Sequence, residues 1–279
     1  MLKPSAMWMN KKGFRKFLCL FANQASYRVD QKSTETDFKK AFNPFWDGGN
    51  QATLAALNSS FRNTFFINQA NPIFSMDLNY QDVRSKTLLV NGFDFIGNAY
   101  KQVQLRWNIT QQISFNADYK DGRKRSSSQF FTTRDYSIRY YEAEPRVNYQ
   151  PNTSFRATLS FKYSDRKNGK FTSMDSLQAL RGGETAFIQD YGAEIKYNIL
   201  DKGSLSVRTN FVKIKFNGPE NSTTAFEMLD GLKTGQNVIW GIIYQRTLSN
   251  NLQLNLTYEG RSSGGKIIHT GGAQVRAYF

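Results

Sequence analysis

Histidine and cysteine are almost missing from this chain, with one of each among 279 residues. A single cysteine cannot close an internal disulfide, and one histidine with one cysteine leaves no His/Cys zinc site. Long apolar runs are missing too. A membrane-spanning helix needs about 18 or more consecutive apolar residues, whereas the longest uninterrupted run here is Phe17 to Ala22. Acidic residues are in short supply: Asp and Glu total 22 against 37 Lys and Arg, a formal charge of +15. A nucleic-acid module would gather its basic residues in one recognisable motif, but here they are dispersed along the chain, so no nucleic-acid partner is expected. The chain is instead rich in aromatic residues, with 23 Phe and 14 Tyr, too many for a disordered segment.

The dominant pattern is alternation, which in a strand places every second side chain on one face. Phe74, Met76, Leu78 and Tyr80 alternate with Ser75, Asp77 and Asn79. Ile113, Phe115, Ala117 and Tyr119 alternate with polar residues, as do Phe155, Ala157, Leu159, Phe161 and Tyr163, and later Leu252, Leu254, Leu256 and Tyr258. Further strands are expected within 57–67, 103–109, 136–149, 186–199, 205–216, 238–248 and 273–279, and a first one at 16–28. Two segments change phase partway. Tyr136, Ile138 and Tyr140 give way to Tyr141, Ala143, Val147 and Tyr149, while Val207 and Phe211 give way to Ile214 and Phe216. A β-bulge is expected at each, because one extra residue restores the facing.

Connections are expected to alternate in length. Short links fall at 68–72, 110–112, 150–153, 201–204 and 249–251; long ones at 81–98, 121–134, 165–184, 217–236 and 260–270. Transmembrane β-barrels have this asymmetry, with short periplasmic turns and long extracellular loops. The expected fold is therefore all-β: an antiparallel up-and-down transmembrane β-barrel of about 12 strands, a single domain over 1–279, with 1–50 its least regular part. A soluble β-sandwich also alternates, but its strands are shorter than these.

This reading assigns roles. Tyr27, Tyr80, Tyr119, Tyr163 and Tyr258 end outward-running strands and form an aromatic girdle. Trp107, Tyr149, Phe155 and Phe279 supply the opposite one. Arg106, Arg139, Glu142, Glu144, Arg146, Arg156, Glu194, Lys196, Arg208, Glu259, Arg261 and Arg276 oppose the apolar stripe and are expected to face the lumen, where both signs can pair. Outer-membrane lipid is the surrounding partner, and the Arg123, Lys124, Arg125 cluster in KDGRKRSSS is suited to the phosphates of lipopolysaccharide.

Little in the chain resembles catalytic machinery. His269, beside Thr270, Ser262 and Ser263, is the one histidine base, and Asp118, Asp121 and Asp135 are acids near the expected rim. Lone loop histidines are ordinarily solvated, and scattered acids arise by chance in Asp-rich loops. No catalytic, cofactor or metal residues are assigned. The paired glycines Gly182-Gly183, Gly264-Gly265 and Gly271-Gly272 read as turns and small rim positions. Met1 to Ala25 has basic residues before an apolar run too short for a signal peptide, so the chain reads as the C-terminal portion of a longer protein with domains upstream.

The closing residues LQLNLTYEGRSSGGKIIHTGGAQVRAYF, Leu252 to Phe279, together with FEMLDGLKTGQNVIW, Phe226 to Trp240, resemble the C-terminal barrel region of large outer-membrane proteins of Bacteroidota. The resemblance implies that Phe279, as the terminal aromatic, is read by the barrel assembly machinery, and it brings no catalytic residues. Three functions follow: a pore or the membrane anchor of a larger surface or export protein, the barrel fragment of an energy-coupled transporter, and a hydrolase acting at the barrel rim.

Overall fold

The computed structural model describes residues 20–34, 36, 53–90, 92–169, 183–199, 202–249 and 251–277. Alternation has become strands throughout. They are β1 (Phe21–Ser33), β2 (Leu54–Ile67), β3 (Phe74–Leu89), β4 (Gly92–Asn108), β5 (Ile113–Ser128), β6 (Tyr136–Tyr149), β7 (Phe155–Asn168), β8 (Thr185–Ile199), β9 (Gly203–Phe216), β10 (Gly235–Ser249), β11 (Leu252–Ser263) and β12 (Lys266–Ala277). Among the described residues one α-helix, α1 (Thr223–Met228), lies between β9 and β10. The sheet has 12 strands in the order β1 through β12, each beside its neighbour in sequence, and every register described is antiparallel. No described helix is long and apolar enough to cross a membrane.

The strands run longer than the apolar stripes foretell, and this removes three of the five expected long links. β3 continues to Leu89 and β4 begins at Gly92, so residues 81–98 are mostly strand. KDGRKRSSS lies within β5. Between β11 and β12 the link is Gly264-Gly265, with φ of 57° and 75°. That left-handed pair matches the tight hairpin turns whose twist suits antiparallel strands, and glycine enters the region at no steric cost. Gly271-Gly272, expected as a turn, lies inside β12. Length remains in the links that follow β7 and β9. Each of these strands begins as a one-sided apolar ribbon and ends as one that is polar on the tyrosine side, so a search for apolar alternation stops short of the strand end.

The same change accounts for the phase handovers, which are not bulges. β9 keeps an unbroken register with β8 from Phe216 opposite Ala186 to Gly203 opposite Ile199, and an unbroken one with β10. Val207 and Phe211 are exposed on one face, while Val212 and Ile214 are buried on the other. In β6, Ile138 and Tyr140 are buried and Val147 and Tyr149 exposed, and between them Glu142 meets Lys162 and Ser164 while Arg146 meets Glu144 and Asp118, so the even-numbered residues keep one face from end to end. What changes is the environment: near one strand end the face opposite the tyrosines turns apolar and buried, and the tyrosine face takes up Arg139, Lys213 and Lys215.

Contacts divide the chain into two compact units. The first holds β1–β3 with one part of β4 to β7; the second holds β8–β12 with the remainder of β4 to β7. In the first, Leu54, Leu57, Ile138 and Tyr140 are buried, as are the polar Arg166 and Asn168. Asn168 ties this end together: its side chain accepts from the Ser137 amide at 2.9 Å and donates to Glu184 at 2.9 Å. In the second, Ala186, Ile188, Val212 and Ile214 are buried in adjacent strands, and the link after β9 adds the buried Ala225, Met228 and Leu229. Ser222 caps α1 by accepting from the Ala225 amide at 3.0 Å, satisfying an amide the short helix leaves open.

Candidate functional site: the two faces of the strands

A strand offers two surfaces, and here their chemistry differs sharply. One surface is marked by tyrosine. Tyr27, Tyr80, Tyr119, Tyr163, Tyr258, Trp107 and Tyr149 are each 37–51% exposed. Large apolar side chains share that face and are exposed as well, among them Leu78, Leu159 at 63%, Ile195, Val207, Phe211, Ile242, Leu256 and Val275. Monomeric soluble domains rarely leave so much contiguous apolar area uncovered. Tyr27 and Tyr80 flank Phe61 at centroid distances of 6.4 and 5.9 Å, a run of rings across β1, β2 and β3.

The opposite surface carries charge. By alternation, Arg106, Glu142, Glu144, Arg146, Arg156, Glu194, Lys196, Arg208, Glu259, Arg261 and Arg276 stand on the side opposite the tyrosines. Arg139 does not. It shares a face with Tyr141, its guanidinium 4.8 Å from that ring, and reaches Asp121 at 3.6 Å. The absence of a bulge in β6 is the reason.

Several of these charges are brought together. Arg146 sits between two acids, Asp118 at 2.9 Å and Glu144 at 2.8 Å. Glu142 meets Lys162 at 3.4 Å and Ser164 at 3.3 Å. Arg156 makes two bonds to the Gln150 carbonyl oxygen, at 3.1 and 2.9 Å. Arg208 pairs with Glu259 at 2.5 Å although β10 lies between them. The residue at the crossing is Gly241, opposite both in register, and a Cβ there would lie 2.8 Å from Arg208 Nε. Gly192 plays the same part beside Ser160 and Asn210, and Asn210 donates to Asp190 at 2.8 Å. Polar partners on this face such as Asp118, Lys162 and Asp190 were not singled out from the sequence. Their signal was there in the phase of each strand, and in-strand glycine is itself a sign of close approach.

The hydrolase reading finds no constellation. His269 lies within β12, its Nδ1 2.9 Å from the Tyr258 hydroxyl, and its ring meets Trp240 edge-on across Gly260. Among the described residues no hydrogen bond joins it to Ser262 or Ser263, and Ser263 accepts from the Lys233 amide. Asp118 and Asp121 are held by Arg146 and Arg139, and Asp135 accepts from the Ser128 amide at 2.7 Å. No group of three or more metal-ligating side chains occurs among the described residues. An open cavity of about 360 Å³ lies at the turns between β7 and β11, lined by Ser154, Asn198, Gly203, Arg246 and Gln253, without a base or nucleophile pair. Phe279 lies outside the described residues, as does the stretch before Leu20.

No protein-family model and no curated protein sequence matches the chain. Solved structures do. The siderophore receptor PirA from Acinetobacter baumannii superimposes with a TM-score of 0.60 at 9% identity, over 92% of this chain and 41% of the receptor. The translocator domain of the autotransporter NalP from Neisseria meningitidis gives 0.38 at 12% identity, covering 80% of each chain. The β domain of the Bordetella autotransporter BrkA gives 0.43 at 11%, over 93% of this chain and 98% of that one. The chain thus spans less than half of the receptor it matches. What the receptor likeness carries is the fold: twelve antiparallel up-and-down strands of the bacterial outer-membrane β-barrel type.

Proposed function

We propose that this chain is the membrane-embedded barrel of a bacterial outer-membrane protein, acting as a pore or as the anchor of a larger surface or export protein, without chemistry of its own. One observation carries the reading: the tyrosine face leaves its large apolar side chains uncovered along nearly every strand, while the opposite face pairs acids with bases. The first face suits lipid and the second suits a polar lumen, since a charge on the lipid side of a barrel costs about 2–4 kcal/mol at the bilayer midplane. Barrel assembly machinery reading Phe279 and an origin in Bacteroidota belong to the same proposal, and the resemblance of the closing sequence supports them. The likeness to a siderophore receptor favours a second reading, the barrel fragment of an energy-coupled transporter.

The test is reconstitution. Refolded chain in planar bilayers should give stepwise, ohmic conductance if it is a pore, and none if it is an anchor or needs a missing plug. A water-soluble monomer that enters neither detergent nor bilayer would reject the barrel function altogether.

A further inference from the structure

In β5 the tyrosine face does not end at Tyr119. It continues as Asp121, Arg123 and Arg125, while Lys120, Gly122 and Lys124 take the other side. Arg123 and Arg125 are exposed, Gly122 is buried and Lys124 half-buried. Two other strands of the sheet, the adjacent β6 and the more distant β3, continue similarly beyond their aromatic rings. In β6, Arg139 lies over Tyr141 and engages Asp121; in β3, Arg84 follows Tyr80 and is bound to Asp82 at 2.5 Å. The two acids of this band are each engaged by an arginine. Arg123 and Arg125 make no ion pair among the described residues.

We infer that Arg123 and Arg125, flanked by Arg139, bind the phosphate groups of lipid A, the glycolipid of the outer leaflet. The inference rests on the membrane-barrel reading above. At about 3.3 Å of rise per residue, Arg123 stands roughly 13 Å along the strand from Tyr119, and the tilt of barrel strands brings that to about 10 Å above the ring. A tyrosine ring marks the acyl boundary, and an arginine side chain reaches back several ångströms toward it. Two guanidinium forks one alternation apart on a paired strand are already positioned, and the fork matches phosphate oxygens two at a time. Below them the exposed Tyr119 and the half-buried Tyr141 of the next strand give acyl chains a surface. An apolar track topped by arginines fits a phosphorylated lipid better than a soluble polyanion, which would use the arginines alone.

The test uses the full chain refolded in detergent, bis-phosphorylated lipid A as probe, and native mass spectrometry as readout. Wild type should retain lipid A. Each lost charge near an anionic lipid surface should weaken binding about fivefold, so R123Q and R125Q singly should each lose about that and the double variant tenfold or more. K124Q, on the other face, should match wild type. Lipid A stripped of its phosphates should bind wild type as poorly as lipid A binds the double variant. Equal retention by R123Q/R125Q and wild type, equal binding of the stripped lipid, or displacement of lipid A by inorganic pyrophosphate would each overturn the site. Heat-modifiable migration is recorded for every variant: a wild type without a folded band rejects the barrel reading, whereas a folded band without phosphate selectivity rejects only the lipid A site.

Discussion

Gly241 shows how a residue with no side chain can decide what its neighbours do. Arg208 reaches Glu259 over β10 because nothing rises from the backbone between them. Both partners are about half exposed, so the ion pair alone contributes little, a few tenths of a kcal/mol at most after solvent screening. Gly241→Val drives a β-branched side chain toward the Arg208 stem, which is flexible and half exposed and can swing aside. Arg208→Ala and Gly241→Val should therefore both leave the denaturation midpoint of the refolded barrel almost unchanged. Gly260 differs in kind: it is buried, and a Cβ there would fall on the Trp240 indole ring. Gly260→Val should lower stability by about 1–3 kcal/mol, the usual cost of overpacking; an effect as small as that of Gly241→Val, measured by urea titration of the folded band, would show that the ring is not held over the backbone.

At the scale of the strand, β9 offers the sharpest contrast between what alternation shows and how its change of character is to be read. From Val207 to Phe211 apolar residues mark the outward face; from Val212 to Ile214 they mark the inward one, without any slip in register. With Cys19 replaced by serine, single cysteines at 213 and 215 should react with a membrane-impermeant maleimide, and cysteines at 212 and 214 should not. A bulge between 211 and 214 would invert that pattern. The strands, their order and their number were legible because a period of two persists through each of them. The bulges were misread because periodicity records only where apolar side chains lie. It does not say whether the chain has slipped or its surroundings have changed. Link lengths failed for a related reason: Asp121 to Ser128 is polar on both faces, and hydrogen bonding to adjacent strands, which no local pattern reports, makes it a strand. Among charged positions Arg139 stands apart from the rest because its expected facing depended on the bulge.

For the molecule as a whole, the proposed setting makes a strong demand on the tyrosine face. Leu159 is 63% exposed in the middle of β7, in a position where water would tolerate arginine and hydrocarbon would not. Leu159→Arg should cost about 2–4 kcal/mol in lipid and shift the folding yield into phosphatidylcholine vesicles markedly, whereas a solvated sheet would lose almost nothing. An equal folded fraction for Leu159→Arg and wild type would remove the lipid face. The strands that outrun their aromatic rings also bear on how the protein is recognised from outside. Asp121 to Ser128 alternates its side chains between two surfaces, so on the proposed membrane barrel Arg123 and Arg125 are turned to the lipid headgroups and Lys124 to the opposite face, and a probe from outside never meets the three basic side chains on one surface. Antisera raised on the linear KDGRKRSSS peptide should therefore stain the denatured chain on a blot and miss the intact cell, because the sheet splits what is consecutive in the sequence.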